Sequence, residues 1–98
     1  MNVIWSPLAV SRASKIAEYI ACDKPSVAKR WVDEIFAKVE QLKFFPEIGR
    51  VVHEISDNKF RELLYDNYRI IYRVGIKQIS ILTIRHGKQI LPINEIKL

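Results

Sequence analysis

The sequence predicts an α+β domain in the order β-α-α-β-β-β, with a helical hairpin on one face of a small, mostly antiparallel sheet. Three patterns support this prediction: an apolar run that ends at Ser6-Pro7, apolar residues at helical spacing on both sides of Asp23-Lys24-Pro25, and alternation of residue character from Phe60 onwards. We expect one domain over residues 1–98. Its parts are the hairpin at about 7–45, a sheet meander at about 60–87 and an apolar tail at 90–98.

The hairpin is predicted from two amphipathic segments joined by a very short connection. Ser6 suits the N-cap of helix 1, with Pro7 in its first turn, where the missing N–H is not needed. Asp23 is predicted to cap helix 2 in the same way, followed by Pro25. A connection of this length joins the two helices as an antiparallel pair.

The meander is centred on Tyr68–Val74, where strict alternation places the even-numbered residues on one face and the odd-numbered residues on the other. We expect the even-numbered face to pack against the helices. The odd-numbered face carries arginines that could bind an anion. Asp66-Asn67 joins this strand to the preceding one as a two-residue hairpin. The resulting register places Glu62 diagonally between Arg69 and Arg73. Because a carboxylate there would repel a phosphate, we interpret the three side chains as an ion-pair cluster.

The last predicted strand, residues 78–84, is apolar on both faces, which indicates a central position with the first strand beside it. A basic cluster, Arg85 to Gln89, ends this strand. The apolar tail beyond it is expected to pack on its own domain, on a second copy or on a partner. Residues 50–55 are predicted as an irregular strand or loop.

Composition narrows the possible partners and compartment. Sixteen Lys and Arg residues against eleven Asp and Glu leave a net charge of +5, which favours an acidic partner, either nucleic acid or protein. Cys22 is the only cysteine, which excludes an internal disulfide and a CxxC metal pair. No signal-peptide pattern or long apolar run is present, so we expect a cytoplasmic protein without a membrane segment. No motif predicts a cofactor or a metal site.

Several segments in this order are similar to those of a known family. They are Trp5-Ser6-Pro7, residues 45–50 (FPEIGR), Arg61-Glu62-Leu63, Tyr68–Val74 and Arg85-His86-Gly87-Lys88. Together they resemble the RelE/ParE superfamily of bacterial toxins from type II toxin-antitoxin modules. The resemblance implies a hetero-oligomeric complex with an antitoxin encoded beside the toxin, whose acidic C-terminal segment wraps it.

The two branches of this superfamily imply different functions. RelE-like members cleave mRNA in the ribosome, whereas ParE-like members poison DNA gyrase without known nuclease chemistry. Arg69 matches a phosphate-binding arginine of RelE-like nucleases, but Glu62 stands where a cation is expected and Gln89 replaces a second arginine. No tyrosine follows Tyr72. These departures favour the ParE-like branch, with growth inhibition and plasmid stabilisation as its implied roles.

Two alternatives remain open at this point. The first is a ribosome-dependent mRNA endonuclease that uses Arg69, Arg85, His86 and Lys88, with His86 as the acid or base. The second is a weakly toxic protein that binds its antitoxin and acts in operon autoregulation. On any reading, the residues expected to bind the target or the antitoxin are Arg61, Arg69, Arg73, Arg85, His86, Lys88, Gln89, Leu91 and Ile93.

Overall fold

Two helices pack on one face of a five-stranded sheet in the computed structural model of the protein, which describes residues 1–87 and 91–96. The elements are β1 Asn2–Trp5, α1 Pro7–Asp23, α2 Pro25–Glu40, β2 Arg50–Val51, β3 Phe60–Tyr65, β4 Tyr68–Val74 and β5 Gln78–His86. Short 3-10 turns cover Gln41–Lys43 and Ile93–Glu95. The predicted α+β class is confirmed, and the irregular region after residue 49 contributes the two-residue strand β2.

The sheet has the strand order β1-β5-β4-β3-β2. β1 pairs with β5 in parallel, and the other pairs are antiparallel, so β5 is central and the first strand lies beside it as predicted. Ser6 connects this pairing to α1. Its N–H donates to Ile81 O at 2.9 Å, its hydroxyl donates to Leu82 O at 2.9 Å, and the same hydroxyl accepts from Ala9 N–H. The predicted N-cap at Ser6 is therefore confirmed.

The predicted cap of the second helix is wrong. Asp23 is the last residue of α1, and Lys24 alone separates the two helices. Lys24 is extended, with φ −139° and ψ 92°, because the residue before Pro25 is forced out of the helical region. Its backbone serves both helices, since its N–H donates to Ile20 O and its carbonyl accepts from Val27 and Ala28.

A bulge in β5 divides the apolar residues of the sheet between two cores. Ile71 is opposite Thr83 and Tyr72 is opposite Ile81, which leaves Leu82 as an extra residue. The main core, under the helices, contains Ala9, Trp31, Ile35, Val39, Leu42, Ile70, Tyr72, Ile79, Ile81 and Ile84. The second core, on the opposite face, contains Val52, Ile71, Leu82, Leu91 and Ile96. Of the predicted tail, Leu91 and Ile96 thus pack on their own domain.

The hairpin between β3 and β4 has the predicted register. Glu62 lies opposite Ile71, Leu64 opposite Arg69, and Asp66 in the turn adopts a positive φ of 55°. Within the described residues, no helix combines the length and the apolar character needed to cross a membrane.

The buried Tyr72 holds the link between α2 and β2. Its hydroxyl accepts from Gly49 N–H and donates to Pro46 O, both at 2.9 Å. Burial raises the pKa of this phenol. A Cβ on Gly49 would lie 2.6 Å from both Tyr72 Oη and Glu62 O, so only glycine allows this approach. Arg61 supports the same link, donating to Gly49 O at 2.9 Å and to Glu47 O at 3.3 Å.

We expect Tyr72→Phe to lower the free energy of unfolding by about 1–2 kcal/mol, because Gly49 N–H would lose its partner in a buried position. Urea denaturation measures the loss. Tyr19→Phe is the matched control, since Tyr19 is 79% exposed and should change stability by less than about 0.5 kcal/mol. Equal effects of the two substitutions would contradict this account of Tyr72.

Candidate functional site

Arg69 in β4 and Arg85 in β5 lie directly opposite each other. They are on the face of the sheet that carries the second core. Two neighbouring arginines on an exposed face would form an anion-binding site, but both side chains here are largely buried and paired with carboxylates of the same chain. The local geometry therefore differs from that of an open phosphate site.

Arg69 is 5% exposed and is surrounded by two glutamates. Its Nε donates to Glu62 Oε1 at 2.7 Å, and its two terminal nitrogens form a bidentate pair with Glu54 at 2.8 and 2.9 Å. Glu62, 1% exposed, also accepts from Arg50 Nε. Two arginines and two glutamates balance, so this Arg69 cluster (Arg50, Glu54, Glu62 and Arg69) carries no net charge.

The predicted cluster is correct for Glu62 and Arg69 but wrong for Arg73. The second cation beside Glu62 is Arg50, which lies opposite Glu62 on β2, the other neighbour of β3. The Arg73 guanidinium instead lies near the next turn, with Nη1 3.5 Å from the position of a Cβ on Gly75.

The pairing changes the acid–base properties of both partners. Hydrogen bonds from Arg69 lower the pKa of Glu54 from 4.5 to about 2, against the opposing effect of burial. Hydrogen bonds to Glu54 in turn raise the pKa of Arg69. Both groups are therefore charged at neutral pH, as an ion pair requires.

Arg85 is paired with a carboxylate near the C-terminal end of the described residues. Glu95 Oε2 is 2.7 Å from Arg85 Nη1 and 2.9 Å from Arg12 Nη2 on α1, and Thr83 Oγ1 donates to Glu95 Oε1 at 3.0 Å. Leu91, 4% exposed, and Ile96, 1% exposed, lie in the second core. One glutamate thus joins the tail to both α1 and β5.

His86 lies at the end of β5 between two open cavities. Its ring makes an edge contact with Tyr68, at 5.6 Å between centroids, and Tyr68 makes a similar contact with Trp31 at 5.4 Å. The helix-side cavity, of about 360 Å³, is lined by Arg12, Lys15, Ile16, Tyr19, Tyr68, Ile84, Arg85 and His86. The turn-side cavity, of about 280 Å³, is lined by Arg50, His53, Leu64, Asp66, Asn67, Tyr68, Arg69, His86 and Gly87.

The remaining predicted site residues do not form one site with Arg69, Arg85 and His86. Arg61 donates to three backbone oxygens, those of Asn58, Glu47 and Gly49. Lys88 and Gln89 lie outside the described residues, and of Ile93 the structure describes only the backbone, in the second 3-10 turn. His86 and Arg85 lie together at the helix-side cavity, whereas Arg61 and Arg73 are not among the residues that line either cavity.

Sequence reasoning missed four charged residues that define this region, namely Arg12, Arg50, Glu54 and Glu95. Each lies in an irregular segment, in an edge strand or on the polar face of a helix. In such places the spacing of hydrophobic residues does not predict which side chains will be in contact in the folded protein. Within the part of the chain that the structure describes, no group of three or more His, Cys, Asp and Glu side chains could hold a metal ion.

The observed fold, a helical hairpin on one face of a mostly antiparallel sheet, is the one that the resemblance to the RelE/ParE superfamily implies. Residues 3–91 match the family described as "ParE toxin of type II toxin-antitoxin system, parDE". The chain therefore belongs to the ParE toxin family, as the resemblance had indicated. A search of curated proteins finds no match.

A solved structure titled "Chromosomal ParDE TA system from P. aeruginosa" is similar to this fold. The TM-score is 0.76, and the match covers 90% of this chain and 97% of that chain at 22% identity. At this identity, the similarity supports the fold.

Arg69→Met should lower the free energy of unfolding by about 3 kcal/mol or more, because Glu62 would stay buried with one of its two cations removed. Arg73→Met on the same strand is the control, with an expected loss below about 1 kcal/mol. Chemical denaturation of the two variants checks this, and similar losses would show that the Arg69 cluster is not needed for stability.

The lowered pKa of Glu54 predicts a pH-dependent contribution to stability. A carboxyl group whose pKa is lower in the folded state stabilises the protein fully above the unfolded value of 4.5, and the stabilisation is lost as pH falls towards 2. Allowing for solvent screening, we expect Glu54→Gln to cost about 1 kcal/mol at neutral pH and almost nothing near the lower limit. Urea denaturation as a function of pH tests this, with Glu34→Gln as control. A loss that is constant with pH would contradict it.

Proposed function

We propose that this ParE-family toxin inhibits DNA gyrase by binding it and is neutralised by a cognate antitoxin in the bacterial cytoplasm. The observation that carries the choice of target is the internal pairing of Arg69 and Arg85 with glutamates of the same chain. Growth inhibition and plasmid stabilisation would follow from this activity.

The pairing argues against ribonuclease chemistry. Metal-free cleavage of RNA requires cations that stabilise the charge developing on the phosphorane. Arg69 would have to leave Glu54 and Glu62 to do so, and the two carboxylates would repel the incoming phosphate. Arg85 is held in a similar way by Glu95. An inhibitor that acts by binding has no need of these cations.

The surface offered to partners is the end of β5 and the helix-side cavity. Arg12, Lys15, Arg85 and His86 lie there, and the chain as a whole carries a net charge of +5. This charge is complementary to an acidic antitoxin segment, for which it would increase the rate of association.

The first test is a supercoiling assay with purified toxin and DNA gyrase. We expect inhibition with a stabilised DNA cleavage complex, and relief on adding the antitoxin encoded next to the toxin. His86→Ala should weaken inhibition by about tenfold. His53→Ala should leave it unchanged, because the His53 side chain is 79% exposed and does not line the helix-side cavity. Full gyrase activity at excess toxin would refute the proposed target.

The same variants separate the alternatives. Cleavage of ribosome-bound mRNA that is lost in His86→Ala would identify an endonuclease. Healthy growth after induction without the antitoxin would identify a protein that acts in operon autoregulation. Arg69→Ala is unsuitable for this comparison because it removes part of a buried ion-pair cluster, so that loss of toxicity could reflect loss of folding.

A further inference from the structure

Two arginines that line the helix-side cavity are paired with one carboxylate of the same molecule. Glu95 bridges Arg12 and Arg85 through Oε2, at 2.9 and 2.7 Å, and accepts from Thr83 through Oε1 at 3.0 Å. The two arginines come from different elements, α1 and β5, and both line the cavity. Their spacing therefore matches a carboxylate group.

The positive charge around the helix-side cavity is greater than Glu95 can neutralise. Arg12, Lys15 and Arg85 contribute three positive charges and Glu95 one negative charge, so 3 − 1 leaves +2. Within residues 1–87 and 91–96, Arg85 Nε is buried without a hydrogen-bond partner. The site is thus able to pair with more negative charge than the molecule itself supplies.

The apolar part of the cavity indicates what carries that charge. Ile16, Ile84 and the rings of Tyr19 and Tyr68 line it, and Tyr19 is 79% exposed at its edge. A volume of about 360 Å³ is near the lower end of ligand pockets, about 300–1,000 Å³, and suits side chains of a peptide. A nucleic acid would need a continuous positive track, which Glu95 interrupts.

We propose that the helix-side cavity binds a short acidic protein segment in which a carboxylate side chain neighbours an aromatic or large apolar one, and that Glu95 competes with this segment from within the chain. The carboxylate pairs with Lys15 and, when Glu95 is displaced, with Arg12 and Arg85. The apolar side chain lies against Tyr19. The identification of the partner as the antitoxin rests on the proposed function, whereas the chemistry of the site does not.

The test is fluorescence anisotropy with a labelled peptide in which glutamates flank one phenylalanine, compared with the same peptide carrying glutamines. The glutamate peptide should bind more tightly. Lys15→Gln should weaken its binding about threefold, and Glu95→Gln should strengthen it about threefold because the internal competitor is removed. Lys29→Gln, at an exposed lysine of α2 outside the cavity, is the matched control and should leave the affinity unchanged.

Some outcomes would overturn the proposal. The first is equal affinity of the wild type and Lys15→Gln for the glutamate peptide. The second is weaker or unchanged affinity of a folded Glu95→Gln variant for that peptide. The third is tighter binding of a single-stranded oligonucleotide than of the peptide. If Glu95→Gln does not fold, Tyr19→Ala replaces it, with an expected threefold loss, about the same as for Lys15→Gln; unchanged binding would overturn the proposal. Because the measurement contains neither gyrase nor antitoxin, its failure leaves the supercoiling result intact, and the reverse also holds.

Discussion

Glu62 lies in β3 with 1% of its surface exposed, and a carboxylate at that depth is tolerated only when it is paired and hydrogen-bonded. Arg69 from β4 and Arg50 from β2 provide that pairing, and Arg69 extends it to Glu54 in the connection between β2 and β3. The cluster thereby holds the connection in place. Val52, in that connection, contributes to the second core with Ile71, Leu82, Leu91 and Ile96. A face that could have received a ligand is closed by the protein's own groups.

On β5, too, an arginine that could bind an external anion is paired with a carboxylate of the same chain, in this case Glu95. Both arginines that face each other across β4 and β5 are paired with carboxylates of the chain, and Arg85 shares its carboxylate with Arg12, so the helix side of the strand end keeps surplus positive charge. In this member of the ParE family, one superfamily scaffold therefore separates two tasks. The face that carries the second core stabilises the fold, and the helix-side cavity is the surface that we propose for recognition.

Local rules predicted the parts of this structure that depend on neighbours in sequence. The register of β3 and β4 followed from a two-residue turn, and the N-cap followed from Ser6-Pro7. Predictions failed where two local preferences conflicted, or where a side chain pairs with a residue far away in the sequence. Pro25 imposes an extended Lys24 and prevents Asp23 from capping, while Arg50 and Glu95 reach their partners from segments without periodicity. A bulge at Leu82, invisible to alternation, accounts for the mixed pattern of β5.

The parallel pairing of β1 with β5 has a consequence for the order of assembly during synthesis. Ser6, at the start of the chain, bonds to Leu82, 76 positions later, and the main core includes residues of β5 up to Ile84. β1 is synthesised well before β5, so it cannot take its place in the sheet until β5 has been made, and contacts of such large sequence separation form slowly. Translation through β5 therefore precedes closure of the sheet and completion of the main core.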